Sequence, residues 1–178
     1  MSDIDGFAAS LLEEAKRFLE KAAESDGSEA ENANLHAALM LAFSALEAHV
    51  NSVADEIAVR RDIGPHELGA LLEKTVRLKD GEYYLSSKLR IHRLEERIAI
   101  LHRMFTGKPA SGPWKSKLAA ATDLRNKLTH PKDVPNISTA SVKRAIEAVI
   151  ETIDALYVSV YRKRFPAAHR KLESKLGF

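Results

Sequence analysis

Cysteine is absent from the 178 residues. Disulfides, cysteine-ligated zinc and a thiol nucleophile are therefore excluded, and the composition suits a reducing cytosol. Glycine (8) and proline (6) are sparse and fall at a few points, which leaves long stretches free of helix breakers. No apolar run approaches the roughly 18 residues that argue for a membrane helix. The opening Met1-Ser2-Asp3-Ile4-Asp5 is acidic where a signal or transit peptide is basic. No glycine-rich phosphate loop, Ser-His-Asp order or His-Glu-x-x-His pattern occurs. His36, His66, His92, His102 and His169 show no zinc-type spacing. The expectation is a cytoplasmic chain with no membrane contact, resident metal or cofactor.

What remains is ordinary for a globular protein: 45% apolar and 29% charged residues. The length fits one domain with a real core. Net charge is +2, but it is unevenly spread. Residues 1–56 hold twelve Asp/Glu and three Lys/Arg, a net of −9; residues 57–178 hold thirteen and twenty-four, a net of +11. Such asymmetry marks either a basic half that meets a polyanion or two solvated faces of one bundle.

Helical spacing predicts helices nearly throughout, with no sustained two-residue alternation. The first helix is predicted over Asp3 to Glu24, with Phe7, Leu11, Ala15, Phe18 and Ala22 inward. Ser28 is a candidate cap for the second. There Leu35, Leu39, Phe43, Leu46, Val50, Val53 and Ile57 form one stripe, and the helix is expected to end near Arg60-Arg61. A short third helix is predicted from His66 to Val76. Lys79-Asp80-Gly81-Glu82 reads as a turn before a fourth helix that carries Ile91, Leu94, Ile98, Leu101 and Phe105. Pro113 suits the first turn of a fifth helix, which runs to His130-Pro131. Ser138 caps a sixth with Val142, Ile146, Val149, Ile153, Leu156 and Val160 inward. The fold class expected is all-α, an up-and-down bundle of five to six helices over residues 1–165. Residues 166–178 form a basic tail or short helix packed on it.

Chemistry concentrates at Asp123-Leu124-Arg125-Asn126-Lys127-Leu128-Thr129-His130-Pro131. Five helical residues turn through about 500°, which would set Arg125 and His130 roughly 140° apart. The residue before proline is pushed out of the helical region, so His130 can swing back toward Arg125. Histidine as a residue type can take a proton from a ribose 2′-OH. Arginine's planar fork matches phosphate oxygens and offsets charge in a transition state. The plain alternative is an Arg125 ion pair and a His130 that merely sits at a helix C-terminus. Glu47 and Asn51 share one face of the second helix and are candidates to orient the pair; the alternative is a solvated polar pair. His49 is assigned to that helix's surface or interface. Lys127, Lys132, Arg97 and Arg103 are candidates for an RNA backbone, against the alternative of solvated faces. Tyr83-Tyr84 and Trp114 are candidates to stack on unpaired bases, although Trp114 also reads as core or interface.

Leu124-Arg125-Asn126-Lys127-Leu128-Thr129-His130-Pro131 resembles the signature of the HEPN superfamily: an arginine, a polar residue, three variable residues and a histidine. Leu41 to Asn51 resembles the early core helix of its bacterial members, and Gly112-Pro113-Trp114 the approach to their motif helix. The resemblance covers about residues 30–160. It implies a metal-independent endoribonuclease acting as a toxin, antiviral effector or RNA-processing factor, with Arg125 and His130 catalytic and Asn126 orienting them; by its own chemistry Thr129 adds a hydroxyl beside them. It also implies a homodimer whose two motifs face one cleft, RNA as substrate and, in some members, an antitoxin protein. Lys132 stands where members controlled by tyrosine modification carry the tyrosine, so that control is not expected here. Other members are non-catalytic interaction modules.

Overall fold

A computed structural model describes residues 3–59 and 62–178. The expected Arg60-Arg61 end of the second helix lies outside the described residues. In chain order stand α1 (Asp3–Glu24), α2 (Ser28–Ile57), α3 (Pro65–Leu71), β1 (Lys74–Lys79), β2 (Glu82–Leu89), α4 (Leu94–Thr106), α5 (Pro113–Thr129) and α6 (Thr139–Tyr161). A single 3-10 turn, Ala168–Arg170, follows. The fold is mostly helical, with helices packed side by side and one small hairpin.

α2 is the axis of the bundle. Its Leu35, Leu39, Phe43, Leu46, Val50, Val53 and Ile57 are all buried, and each such side chain contributes about 1.5–3 kcal/mol by leaving water. α1 packs along it on one side and α6 on another, and α6 in turn carries α5 and α4. α2 also holds an 18-residue window apolar enough to cross a membrane, of which 67% is buried inside the bundle. Ser28 is the first residue of α2 rather than its cap; Gly27 takes that place without a side-chain hydrogen bond. Ser138 does cap α6. Its Oγ accepts from the Ser141 N–H at 3.2 Å, and the Ser141 Oγ accepts from the Ser138 N–H at 3.0 Å.

On α1 the expected Leu11, Ala15 and Ala22 are buried and Phe18 is half-buried, and Phe7 alone departs from that face. Phe7 is 60% exposed, whereas Lys16 is fully buried. The basic tail folds back over α1 beside Lys16 and covers Glu13. Glu13 accepts from the Arg170 guanidinium at 2.6 Å, the Lys175 N–H at 2.7 Å and Lys16 Nζ at 3.2 Å. Burial pushes the Glu13 carboxyl up, but those donors outweigh it and hold it below the usual carboxylate range. Burial lowers the Lys16 ammonium despite the carboxylate beside it. The Phe18 and Phe178 rings, 6.0 Å apart edge to face, finish the seam.

The largest correction is between α3 and α4. The helix predicted over 66–76 stops at Leu71, and the one predicted through Ile91 begins at Leu94. A hairpin occupies the interval. Asp80 (φ 52°) and Gly81 (φ 85°) form its two-residue loop, flanked by the pairs Lys79↔Glu82 and Leu78↔Tyr83. Asp-Gly tolerates two successive positive φ values and matches the twist of paired strands. Thr75, Val76, Tyr83 and Tyr84 supply strand-forming side chains. The hairpin rests on α3 at Gly69, where a Cβ would fall 2.5 Å from Val76 Cγ2 and 3.0 Å from the Lys74 carbonyl. Overpacking costs about 1–3 kcal/mol, against about 1 kcal/mol that alanine gains in a helix. Gly69→Ala is therefore expected to lower the urea midpoint and speed amide exchange in β1 and β2. An unchanged midpoint with slower exchange would show that the contact is slack.

Arg97 locks this corner. Its Nη2 donates to Asn51 Oδ1 at 2.6 Å and to the Leu71 carbonyl at 2.7 Å, and its Nη1 lies 3.6 Å from Glu73. At 2% exposure it cannot follow an RNA backbone. It ties α2, α3 and the hairpin base to α4.

Candidate functional site

α5 opens with Pro113 at its first position and runs as regular helix to Thr129. Leu118 and Ala121 are its buried contacts, with Trp114, Leu124 and Leu128 half-buried. Between this helix, the middle of α2 and the start of α4 lies an open cleft of about 860 Å³. Met40, Phe43, Ser44 and Glu47 line it from α2, His92, Glu95 and Glu96 from around the start of α4, and Trp114, Thr122, Arg125 and Asn126 from α5.

Arg125 is the distinctive group there. Its guanidinium carbon stands 5.2 Å from the centroid of the Phe43 ring, an arrangement in which the aromatic face attracts the cation. Its Nε is buried and has no hydrogen-bond partner among the described residues. No carboxylate among them pairs with the guanidinium. A buried N–H without a partner costs about 1–3 kcal/mol, so an anionic ligand in the cleft has something to satisfy.

His130 leaves the helix as its proline neighbour dictates, at φ −132° and ψ 59°. Its N–H donates to the Asn126 carbonyl at 2.9 Å. The imidazole is exposed and does not line the cleft, and no hydrogen bond joins it to Arg125. Within one chain the two side chains thus share neither a hydrogen bond nor the cleft. Asn126 does line the cleft beside Arg125. Thr129 is occupied locally, its hydroxyl donating to the Arg125 carbonyl at 3.2 Å, a common use of threonine within a helix.

Glu47 faces the cleft, but Asn51 is held by Arg97 and does not orient the motif. Lys127 lies over the groove between α5 and α6, and Arg103 and Lys132 are exposed elsewhere. The segment after β2 and the start of α4 instead bring in His92 and Glu95, which the spacing of the sequence did not single out. His92 sits in the cleft with Nδ1 3.8 Å from Glu96, and Glu95 accepts from the Thr122 hydroxyl at 2.6 Å. Glu47, Glu95, Glu96 and Asp123 make the cleft mixed in sign rather than basic, with Arg93, Lys115 and Arg125 as its cations. Among the described residues no three His, Asp or Glu side chains are grouped to hold a metal ion.

Fold and site together define a mainly helical protein with an arginine-bearing cleft between three helices. No protein-family model, curated protein or solved structure matches this chain.

Proposed function

We propose that the chain is a metal-independent endoribonuclease that works as a cytoplasmic homodimer, in the manner its motif's resemblance implies. The observation that carries the reading is Arg125, a half-buried guanidinium stacked on Phe43, unpaired among the described residues and open to the cleft. Arg125 would hold the scissile phosphate and offset its growing charge. His130 would take the 2′-OH proton or donate to the leaving oxygen. The 2′-oxygen attacks phosphorus as the bond to the 5′-oxygen breaks, leaving 2′,3′-cyclic phosphate and 5′-hydroxyl ends. Because His130 stands outside its own chain's cleft, a second copy is the natural source of the histidine. A toxin, antiviral or RNA-processing role, with or without an antitoxin protein, fits this chemistry equally.

The second reading is a non-catalytic module that binds RNA, a nucleotide or a protein partner. The carboxylates around the cleft favour it, since they oppose a polyanion along most of the wall. RNA incubated with the purified protein in EDTA separates the two. Cleavage that persists under chelation and disappears in both Arg125→Ala and His130→Ala supports the nuclease. Cleavage that needs a divalent ion, or that tolerates either substitution, would sink it.

A further inference from the structure

β1 and β2 form a ribbon whose outer residues are exposed. Directly opposed residues of an antiparallel pair share a face. Val76 and Leu85 are paired and close on Gly69, and the Tyr83 ring stands 5.1 Å from His66. Those side chains form the face toward α3. Arg77 pairs with Tyr84, and Lys79 with Glu82, on the opposite face. All four are exposed, and Tyr84 keeps 43% of its surface in solvent.

Residues 74–93 hold six Lys/Arg and two Asp/Glu, a net of +4 (6 − 2). Among the described residues none of Arg77, Lys79, Lys88, Arg90 and Arg93 is in an ion pair. The surface is thus cationic with an open aromatic face among the charges. From β2 the chain passes through Arg90 to His92 and Arg93, which line the cleft that contains Arg125. The chain thus leads directly from the ribbon into the wall of the cleft.

We infer that the ribbon's outer face binds an unpaired RNA segment that flanks the phosphate held at Arg125. The proposal rests on the nuclease reading for the identity of the strand as RNA and its continuation into the cleft. The contact itself does not depend on catalysis. Arg77 and Lys79 neutralise backbone phosphates, and a base stacks on Tyr84 as on other single-strand platforms. An unpaired strand is specified because the bases of a duplex already have their faces covered. An acidic peptide would satisfy the cations but leave the tyrosine face unused.

The test is anisotropy of a fluorescent single-stranded RNA with full-length His130→Ala protein, in which binding is measured apart from cutting. Tyr84→Ala is expected to weaken binding roughly 5- to 100-fold, the range of one lost base stack. Tyr84→Phe keeps the ring and should bind like the parent, which separates stacking from folding. Arg77→Ala with Lys79→Ala should lower the slope of log affinity against log salt by about 1.4, two phosphate contacts on a single strand. Unchanged affinity and slope in these variants overturns the inference. So does equal affinity for a duplex, tighter binding of an acidic peptide, or no RNA binding at all. The two proposals fail separately. Wild-type cleavage with indifferent hairpin variants leaves the nuclease standing, whereas hairpin-dependent binding without any cleavage leaves only the ribbon.

Discussion

Mixing Arg125→Ala chains with His130→Ala chains is expected to restore ribonuclease activity that neither variant has alone. Each homogeneous variant lacks one required group in every site. Losing a positioned proton-transfer group costs about 10²- to 10⁴-fold, and the phosphate-binding arginine should matter on the same scale. The exposed His130 lies outside the cleft that Arg125 lines. A site that joins the arginine of one protomer to the histidine of its partner is therefore intact once in every mixed dimer. Random exchange pairs unlike chains in half the dimers, so about a quarter of wild-type activity should return. Sites confined to single chains predict no recovery, because no variant chain carries both groups. A wild-type protein that cuts RNA as a monomer would also defeat the composite arrangement.

The helices were legible where one physical signal dominated. The α2 stripe combines steps of three and four over about six turns and is buried throughout. Pro113 and Ser138 mark helix starts by backbone chemistry alone. The hairpin was not legible because Asp80-Gly81 reads equally as a break between helices, and the neighbouring strands alternate too briefly to register as a period. That one substitution of fold misplaced several side chains. Arg97 was a candidate for an RNA backbone, yet it closes on Asn51, Leu71 and Glu73, partners 46, 26 and 24 residues away in sequence. His92 has no partner at ligand spacing, and only the return of β2 carries it to the cleft. Arg125 was found by its motif, but its lack of a carboxylate and its seat on Phe43 are properties of packing between α2 and α5. Phe7 was expected inward and stands exposed, and Lys16 is buried beside a Glu13 that the tail returns to cover, a contact no local pattern encodes.

His49 was assigned to the surface or interface of α2 and is 2% exposed, on the interface side. It packs edge to face with Phe165 at 5.2 Å and with Tyr157 at 5.8 Å. Neither ring nitrogen has a hydrogen-bond partner among the described residues. Burial pushes its pKa down from 6.5 to about 4, and the Asp5 carboxylate offsets only part of that. Asp5, Glu56, Tyr157 and Tyr161 are the other titratable groups of this corner, and burial raises both tyrosines above their ordinary value. The folded chain thus keeps the imidazole neutral, while the unfolded chain protonates it below pH 6.5. Stability present above that value is lost as pH falls, at about 1.4 kcal/mol per unit until the folded ring itself titrates near pH 4. The total is about 3 kcal/mol, a large share of the 5–15 kcal/mol typical of a domain. Urea unfolding across this window should show that loss in the wild type and not in His49→Leu. At neutral pH the variant should match or exceed the wild type, since it removes two buried nitrogens without partners, each costing about 1–3 kcal/mol. Some acid sensitivity remains in the variant through Glu13, whose lowered carboxyl acts only at lower pH. An acid limb equally steep in both proteins would mean that His49 reaches water or a donor in solution.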